Sequence, residues 1–353
     1  MMEKEALIPR GDGLIGTPPL PLLVTGITGV AGYNAFKYLS ARYPGQIVGI
    51  RPHRTWRLHG PAIVALDIED EEGHERLFAT QRFRSVLNAV GNCALKKCEL
   101  DPAMARRLNV VSAANIASLV RRHECRLVHL SSDLVFSGAG NGHYREVDPV
   151  DPVTVYGKTM VEAEALLAEG CPEAAVLRIS LPMGPSFNRH AGAIDWIDSR
   201  FRKGRPATLY FDEVRSCTYT HDLNRVFERF LRGQECGVYH LGGPRAVTLH
   251  QIGQIVNRVG GYPAELLNGC LRHAAGPVPP RAGNVSMCSD KLKVLLGKDP
   301  FHPWPADPDL MPHDRHWHER RLAGELGSAR HIAEQLYRAR SHPALLDAAV
   351  SEI

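Results

Sequence analysis

Three glycines, Gly26, Gly29 and Gly32, stand between an apolar run, PLLV, and a helical stretch ending in FKYLSARY. The first glycine of such a GxxGxxG turn permits a tight bend, the second lets backbone approach a pyrophosphate, and the third lets the helix pack closely. Dinucleotide binding is the chemistry expected here, with Thr28 and Val30 of the same turn as further contacts. The next apolar run, QIVGI, ends at Arg51, with His53 and Arg54 just beyond. An acid at that place would accept from ribose hydroxyls, whereas cations suit a 2′-phosphate, so NADP(H) is the expected cofactor. Asp67 is either a receiver of the adenine amino group or an ordinary surface acid. Ile68 beside it, and Ala89 and Val90 at the end of SVLNAV, are candidates for the same site.

Two hydroxyls follow. SSDLVFSG, from Ser131 to Gly138, places serines at the end of an apolar strand, and YGKTM opens a helix at Tyr156. With VTGITGVAG, LNAVG, DPAMARRLN, DEVRSCTYTHDL, GVYHLGG and VPPRAGNVS, these segments make residues 22 to 300 resemble the extended short-chain dehydrogenase/reductase family. Within it the chain is similar to the dTDP-4-dehydrorhamnose reductase group, which includes a regulatory relative, the methionine adenosyltransferase β subunit.

The resemblance implies that Ser132 hydrogen-bonds a substrate carbonyl while Tyr156 protonates the developing alkoxide as a nicotinamide delivers hydride. It also implies a lysine four residues after the tyrosine, which would lower the phenol pKa and hold the nicotinamide ribose. Met160 occupies that place and can do neither. Lys158 is a poor substitute, because two residues along a helix turn a side chain about 200° away. Slow reduction by another proton route, a structural or regulatory NADP-binding module, and an introduced change at position 160 all stay open.

Dehydratases of the family carry an Asp-Glu pair after the hydroxyl residue. Here Ser132 is followed by Asp133 and Leu134, which leaves keto reduction ahead and epimerisation behind it. The resemblance further places Leu181 against the nicotinamide, and Arg215 and Arg281 on the phosphates of a sugar nucleotide, where a guanidinium fork suits a diphosphate. Asp133, Asn188 and Trp196 complete the candidate substrate contacts. The function expected is NADPH-dependent reduction of a keto group on a nucleotide-linked sugar, and the alternative is a non-catalytic NADP-binding regulatory or scaffold subunit.

The elements that must position these residues alternate. QIVGI, PAIVAL, SVLNAV, RLVHLSS and AAVLRIS are short β-rich runs separated by helical stretches, which predicts an α/β protein with a Rossmann-type doubly wound parallel sheet and a smaller late-chain substrate-binding lobe. Residues 21–180 with 216–243 are assigned to the NADP domain and 181–215 with 244–312 to the substrate lobe. Residues 1–20 read as a loose leader. Residues 313–353 read as a helical tail, with Leu322, Ile332, Leu336 and Leu345 as its docking stripe. Asp101 before Pro102, and Thr248, are expected helix caps.

The 353 residues are 44% apolar and 23% charged, enough to bury a full core. A net charge of +4 gives no basic stripe for nucleic acid. No apolar run approaches the roughly 20 residues of a membrane span. Eight cysteines without a CxxC pair, behind an acidic MMEKE start, predict reduced thiols in a cytoplasmic protein. His313, His316 and His318 share no helical face and no metal is expected. Val110, Val111, Ile116 and Leu119 permit a homodimer, as helices in this region often pair in the family, and a monomer whose tail covers that face is equally consistent.

Overall fold

A computed structural model describes residues 16–321 and 327–338. Its centre is a seven-stranded parallel sheet, ordered Gly237–Leu241, Ala175–Ile179, Arg126–Ser132, Ser85–Asn88, Leu22–Val24, Ile47–Arg51 and Ile63–Ala65. The order reverses at Leu22–Val24, between Ser85–Asn88 and Ile47–Arg51, which opens a crevice at the carboxyl ends of these strands. Strands buried on both faces need no polar alternation, and Leu22, Leu23 and Val24 are all fully buried.

Helices cover both faces. On one, Phe36 and Leu39 of helix Val30–Arg42 meet Val226, Phe227 and Phe230 of helix Thr220–Arg232. On the other, Phe78, Ile116 and Leu167 come from helices Glu71–Gln81, Ser112–Arg122 and Val155–Gly170. Asp101 does cap its helix, accepting from the Met104 amide at 2.9 Å ahead of Pro102. Thr248 forms a capping box with Gln251.

A second core lies in the late chain. Helices Ala193–Arg202 and Leu249–Gly260 supply Ile194, Ile197, Ile252 and Val256, which pack around Tyr219 and Trp304. The lobe boundaries are less simple than the sequence reading drew them. Leu292 and Phe301 return to the nucleotide-lobe core, whereas Cys217 and Tyr219 join the late-chain core.

Among its described residues the tail is not one continuous helix. Trp317 and His318 are buried at a short helical turn, with Arg258 over the Trp317 ring, and helix resumes at Ala329–Leu336. Ile332 and Leu336 are buried there, while Leu322 and Leu345 lie outside the described residues. His313, His316 and His318 pair separately, with Asp314, Glu319 and Gln254. Val110, Ile116 and Leu119 are buried inside the chain, and of the four apolar positions that would pair subunits Val111 alone is exposed. All eight cysteines are free of disulfides. No helix among the described residues is long and apolar enough to cross a membrane.

Candidate active site

The glycine turn has little room for any other residue. Gly26 has φ +64°, and a Cβ there would lie 2.2 Å from the Ala89 carbonyl oxygen, while one on Gly32 would lie 2.4 Å from the Gly26 oxygen. Gly29 is exposed at the helix N-terminus, where free amides favour an anion. Thr25 donates to Asn88 Oδ1 at 2.6 Å and accepts from the Ala89 amide at 3.1 Å, tying the turn to the next strand end. Thr28, Ala89 and Val90 are half-buried beside it and Val30 is buried as the first helical residue. These groups fit a dinucleotide phosphate.

The cations at the second strand end are less free than the sequence suggests. Arg51 donates to the carbonyls of Leu58, Pro52 and His53, bracing its own loop. Asp67 accepts from the His53 amide at 3.2 Å and ring at 3.1 Å, so its carboxylate closes the same loop. Arg54 is exposed and Ile68 half-buried.

Ser132 ends strand Arg126–Ser132, and its Oγ accepts from the Leu134 amide at 3.2 Å. Tyr156 sits in the first turn of helix Val155–Gly170, which Thr154 caps by accepting from the Gly157 amide at 2.9 Å. Gly157 is required by contact: a Cβ would lie 2.1 Å from the Leu134 carbonyl oxygen, so only glycine lets the helix approach the turn after Ser132. Burial pushes the Tyr156 phenol above its ordinary pKa, Cys93 adds to that, Ser132 pulls it down, Asp133 raises it and Arg215 lowers it.

Met160 is buried in a cluster with Tyr156, Leu134, Val135, Phe136 and Cys98. Lys158 faces solvent, as the helical angle requires. The position that would carry an amine toward the phenol is therefore filled by apolar packing.

A chain of charges runs from Ser132 into the late-chain lobe. Ser132 donates to Asp133 Oδ1 at 3.2 Å, and Asp133 Oδ2 accepts from Ser180 at 2.6 Å and from Arg215 Nε at 3.0 Å. Glu213 lies 3.8 Å from Arg215 and 3.5 Å from Arg281. Asp133, Glu213 and Arg215 are all buried. Arg215 is thus tied through Nε to the chain's own acid, while its buried Nη1 has no hydrogen-bond partner. Arg281 stacks on Tyr210 and lines a cavity of about 540 Å³ with Arg272, His273, Ser137 and Val153.

The remaining sequence candidates are scattered. Leu181 packs against the second core. Asn188 is exposed, and its Oδ1 accepts the amides of His190 and Ala191. Trp196 is exposed under the Arg200 guanidinium.

Several participants escaped the sequence reading. Glu213 lies just before strand Val214–Ser216, which carries Arg215, and only its acidic type so close to that arginine signalled it. Arg272, and Cys93 near the phenol, carry no signal in type or spacing.

The parallel sheet, its phosphate-ready switch point and the Ser132–Tyr156 pair define a Rossmann-type protein of the extended short-chain dehydrogenase/reductase class. The chain belongs to the RmlD substrate binding domain family, whose model matches residues 21–307. It is 32% identical over 255 residues to the dTDP-4-dehydrorhamnose reductase of Salmonella typhimurium, covering 65% of this chain and 83% of that protein. It is 26% identical over 314 residues to methionine adenosyltransferase 2 subunit beta of Danio rerio, covering 86% and 94%. Among solved structures it resembles UDP-glucose 4-epimerase of Thermotoga maritima with UDP-glucose, at TM-score 0.71 and 19% identity over 82% of this chain and 96% of that one. The dTDP-4-dehydrorhamnose reductase of Bacillus anthracis in complex with NADP gives 0.68 and 17%, over 80% and 94%.

Proposed function

We propose that the chain is an NADPH-dependent reductase of a keto group on a nucleotide-linked sugar. The observation that supports this reading is that Ser132 ends a strand of the same parallel sheet as the glycine turn, one strand removed from it, while Gly157 lets the helix that carries Tyr156 approach the turn after Ser132. NADPH would supply hydride when bound at Gly26 to Gly32, with Leu181 toward the nicotinamide and the Arg51 and Arg54 loop toward the adenosine end. Ser132 polarises the carbonyl oxygen by a hydrogen bond. Tyr156 holds the proton that this oxygen takes up, and a phenol raised by burial stays protonated through neutral pH. Arg281 and Arg272 offer the cationic wall for the substrate diphosphate, with the His273 ring beside them. The Ser132 hydroxyl has one proton, which Asp133, held by Arg215, accepts in this structure, so polarising a carbonyl requires that proton to turn from Asp133 to the substrate oxygen.

A second reading has its own support. Met160 lies in an apolar cluster where an amine is expected, and a relative named as a subunit of methionine adenosyltransferase aligns over 86% of the chain. A regulatory subunit that holds NADP(H) without turnover fits both facts. The two readings separate by absorbance at 340 nm with purified protein, NADPH and a panel of 4-keto nucleotide sugars. Oxidation that disappears in Tyr156→Phe supports the reductase. Binding of NADPH with no oxidation, in wild type and in Met160→Lys alike, removes it in favour of the subunit.

A further inference from the structure

The family match ends at residue 307, yet later residues are built into the late-chain lobe. Trp304 Nε1 donates to the Leu336 carbonyl at 2.9 Å, and Ile332 and Leu336 are buried. The Gly327 backbone lies directly on that of Gly261, where a Cβ on Gly327 would come within 2.0 Å of the Gly261 nitrogen. This seating brings the Tyr337 hydroxyl to Asp195, to which it donates at Oδ1.

Asp195 is buried, and its other oxygen accepts from Ser186 twice, from the amide at 2.7 Å and from the hydroxyl at 2.5 Å. Ser186 Oγ in turn accepts from the amides of His190 and Ala191, at 3.1 and 3.2 Å. The loop 185–192 is thereby folded around one carboxylate. It contains Arg189 at φ +51° and Gly192 at φ +91°, backbone states that persist where surrounding bonds enforce them.

The far side of this loop rests on the cofactor helix. Asn34 donates to both the Pro185 and Val30 carbonyls at 2.8 Å, Phe187 faces the Tyr33 ring at 6.5 Å, and a Cβ on Gly192 would lie 2.6 Å from Val30 Cγ2. Val30 is the first helical residue after the glycine turn. One carboxylate therefore connects residues beyond the family region to the helix end that would receive the pyrophosphate.

We propose that Tyr337 and Asp195 are positioning residues for the dinucleotide: the tail holds loop 185–192 against the first turn of the nucleotide helix, and NADP(H) affinity depends on that hold. This rests on the cofactor reading of Gly26 to Gly32. A hydrogen bond to a charged group has a net worth sufficient for about a tenfold change in affinity.

The test uses the full chain. Tyr337→Phe removes the hydroxyl and keeps the ring, and Asp195→Asn alters the carboxylate itself. Both are expected to raise the NADPH dissociation constant about tenfold, read by nucleotide fluorescence, and to speed amide hydrogen exchange across 186–192. Ile332→Val trims the tail packing without touching Asp195, and is expected to lower the melting temperature while leaving NADPH affinity unchanged. Equal weakening of affinity by Ile332→Val would mean a general loss of stability and would overturn the proposal. Unchanged exchange across 186–192 in Tyr337→Phe would overturn it whether or not NADPH binds. Wild-type protein that does not bind NADPH would overturn the cofactor reading and the affinity claim together, and the exchange result would distinguish that failure from an uncoupled tail.

Discussion

Arg215 Nε reaches the Asp133 carboxylate at 3.0 Å, and both residues are buried, one from the late-chain lobe and one from the end of a central strand. An acid this deep is tolerated because the guanidinium and two serine hydroxyls surround it. Arg215→Met leaves that charge unmatched and is expected to cost about 3 to 5 kcal/mol in urea unfolding. The double change Asp133→Asn with Arg215→Met should recover much of the loss. Simple addition of the two single losses would show that they do not act as a pair.

The same cluster sets a pH dependence. Burial raises the pKa of Asp133 and of Glu213, and the pull of Arg215 offsets this only in part. A carboxyl whose folded value exceeds its unfolded one binds more protons when folded. Its contribution therefore favours folding at low pH and is lost as pH rises from the free carboxylate value of about 4 through the raised one. Glu228 works in the opposite direction. Burial alone would raise it, but the Tyr43 and Tyr38 hydroxyls with Arg232 and Arg42 hold it low, so its stabilisation is lost on acidification. Asp133→Asn is expected to flatten the fall in stability above about pH 4, as measured by urea midpoints across pH. An unaltered slope would refute the assignment to Asp133.

The sheet and the glycine turn were legible because local rules decide them: buried parallel strands read as continuous apolar runs, and a Gly26 at positive φ admits few alternatives. The tail was misread because Trp317 and His318 are buried by tertiary contact with Arg258 and Gln254, and periodicity carries no record of a partner so distant in sequence. Arg215 fell between these cases. Its residue type announces an anion, but the choice between a ligand phosphate and the chain's own Asp133 is made by the packing of two lobes.

Met160→Lys tests the site most directly. The new side chain has nearly the same length and starts on the face shared with Tyr156, so the amine would come close to the phenol. A cation there favours phenolate and lowers its pKa. If the chain is a reductase, turnover should rise, while the alkaline fall of the pH profile should move to lower pH, because Tyr156 donates as the protonated phenol. Stability should drop by a few kcal/mol, since the amine replaces a thioether buried among Leu134, Val135 and Phe136. A profile whose alkaline limb stays in place would show that position 160 does not act on Tyr156.

Arg281 and Arg272 should separate substrate binding from cofactor binding. Both line the 540 Å³ cavity, and neither touches the glycine turn. Arg281→Ala and Arg272→Ala are each expected to raise KM for a nucleotide sugar by about tenfold, from the loss of a charge-assisted bond. NADPH affinity should stay within twofold of wild type, read by fluorescence. A parallel loss of NADPH affinity would place these arginines on the cofactor instead.

Gly157→Ala probes geometry without altering any charge. The added methyl would sit 2.1 Å from the Leu134 carbonyl oxygen, and backbone cannot yield as a flexible side chain does. The helix start must therefore move off the turn that follows Ser132, carrying Tyr156 with it. Overpacking of this kind costs about 1 to 3 kcal/mol, although alanine is the better helix former. NADPH binding at Gly26 to Gly32 should persist, since that turn lies on another strand, while keto reduction should fall by at least about a hundredfold for a displacement near 1 Å. If instead the variant is more stable than wild type and retains its turnover, the close approach of Gly157 to Leu134 does not position Tyr156.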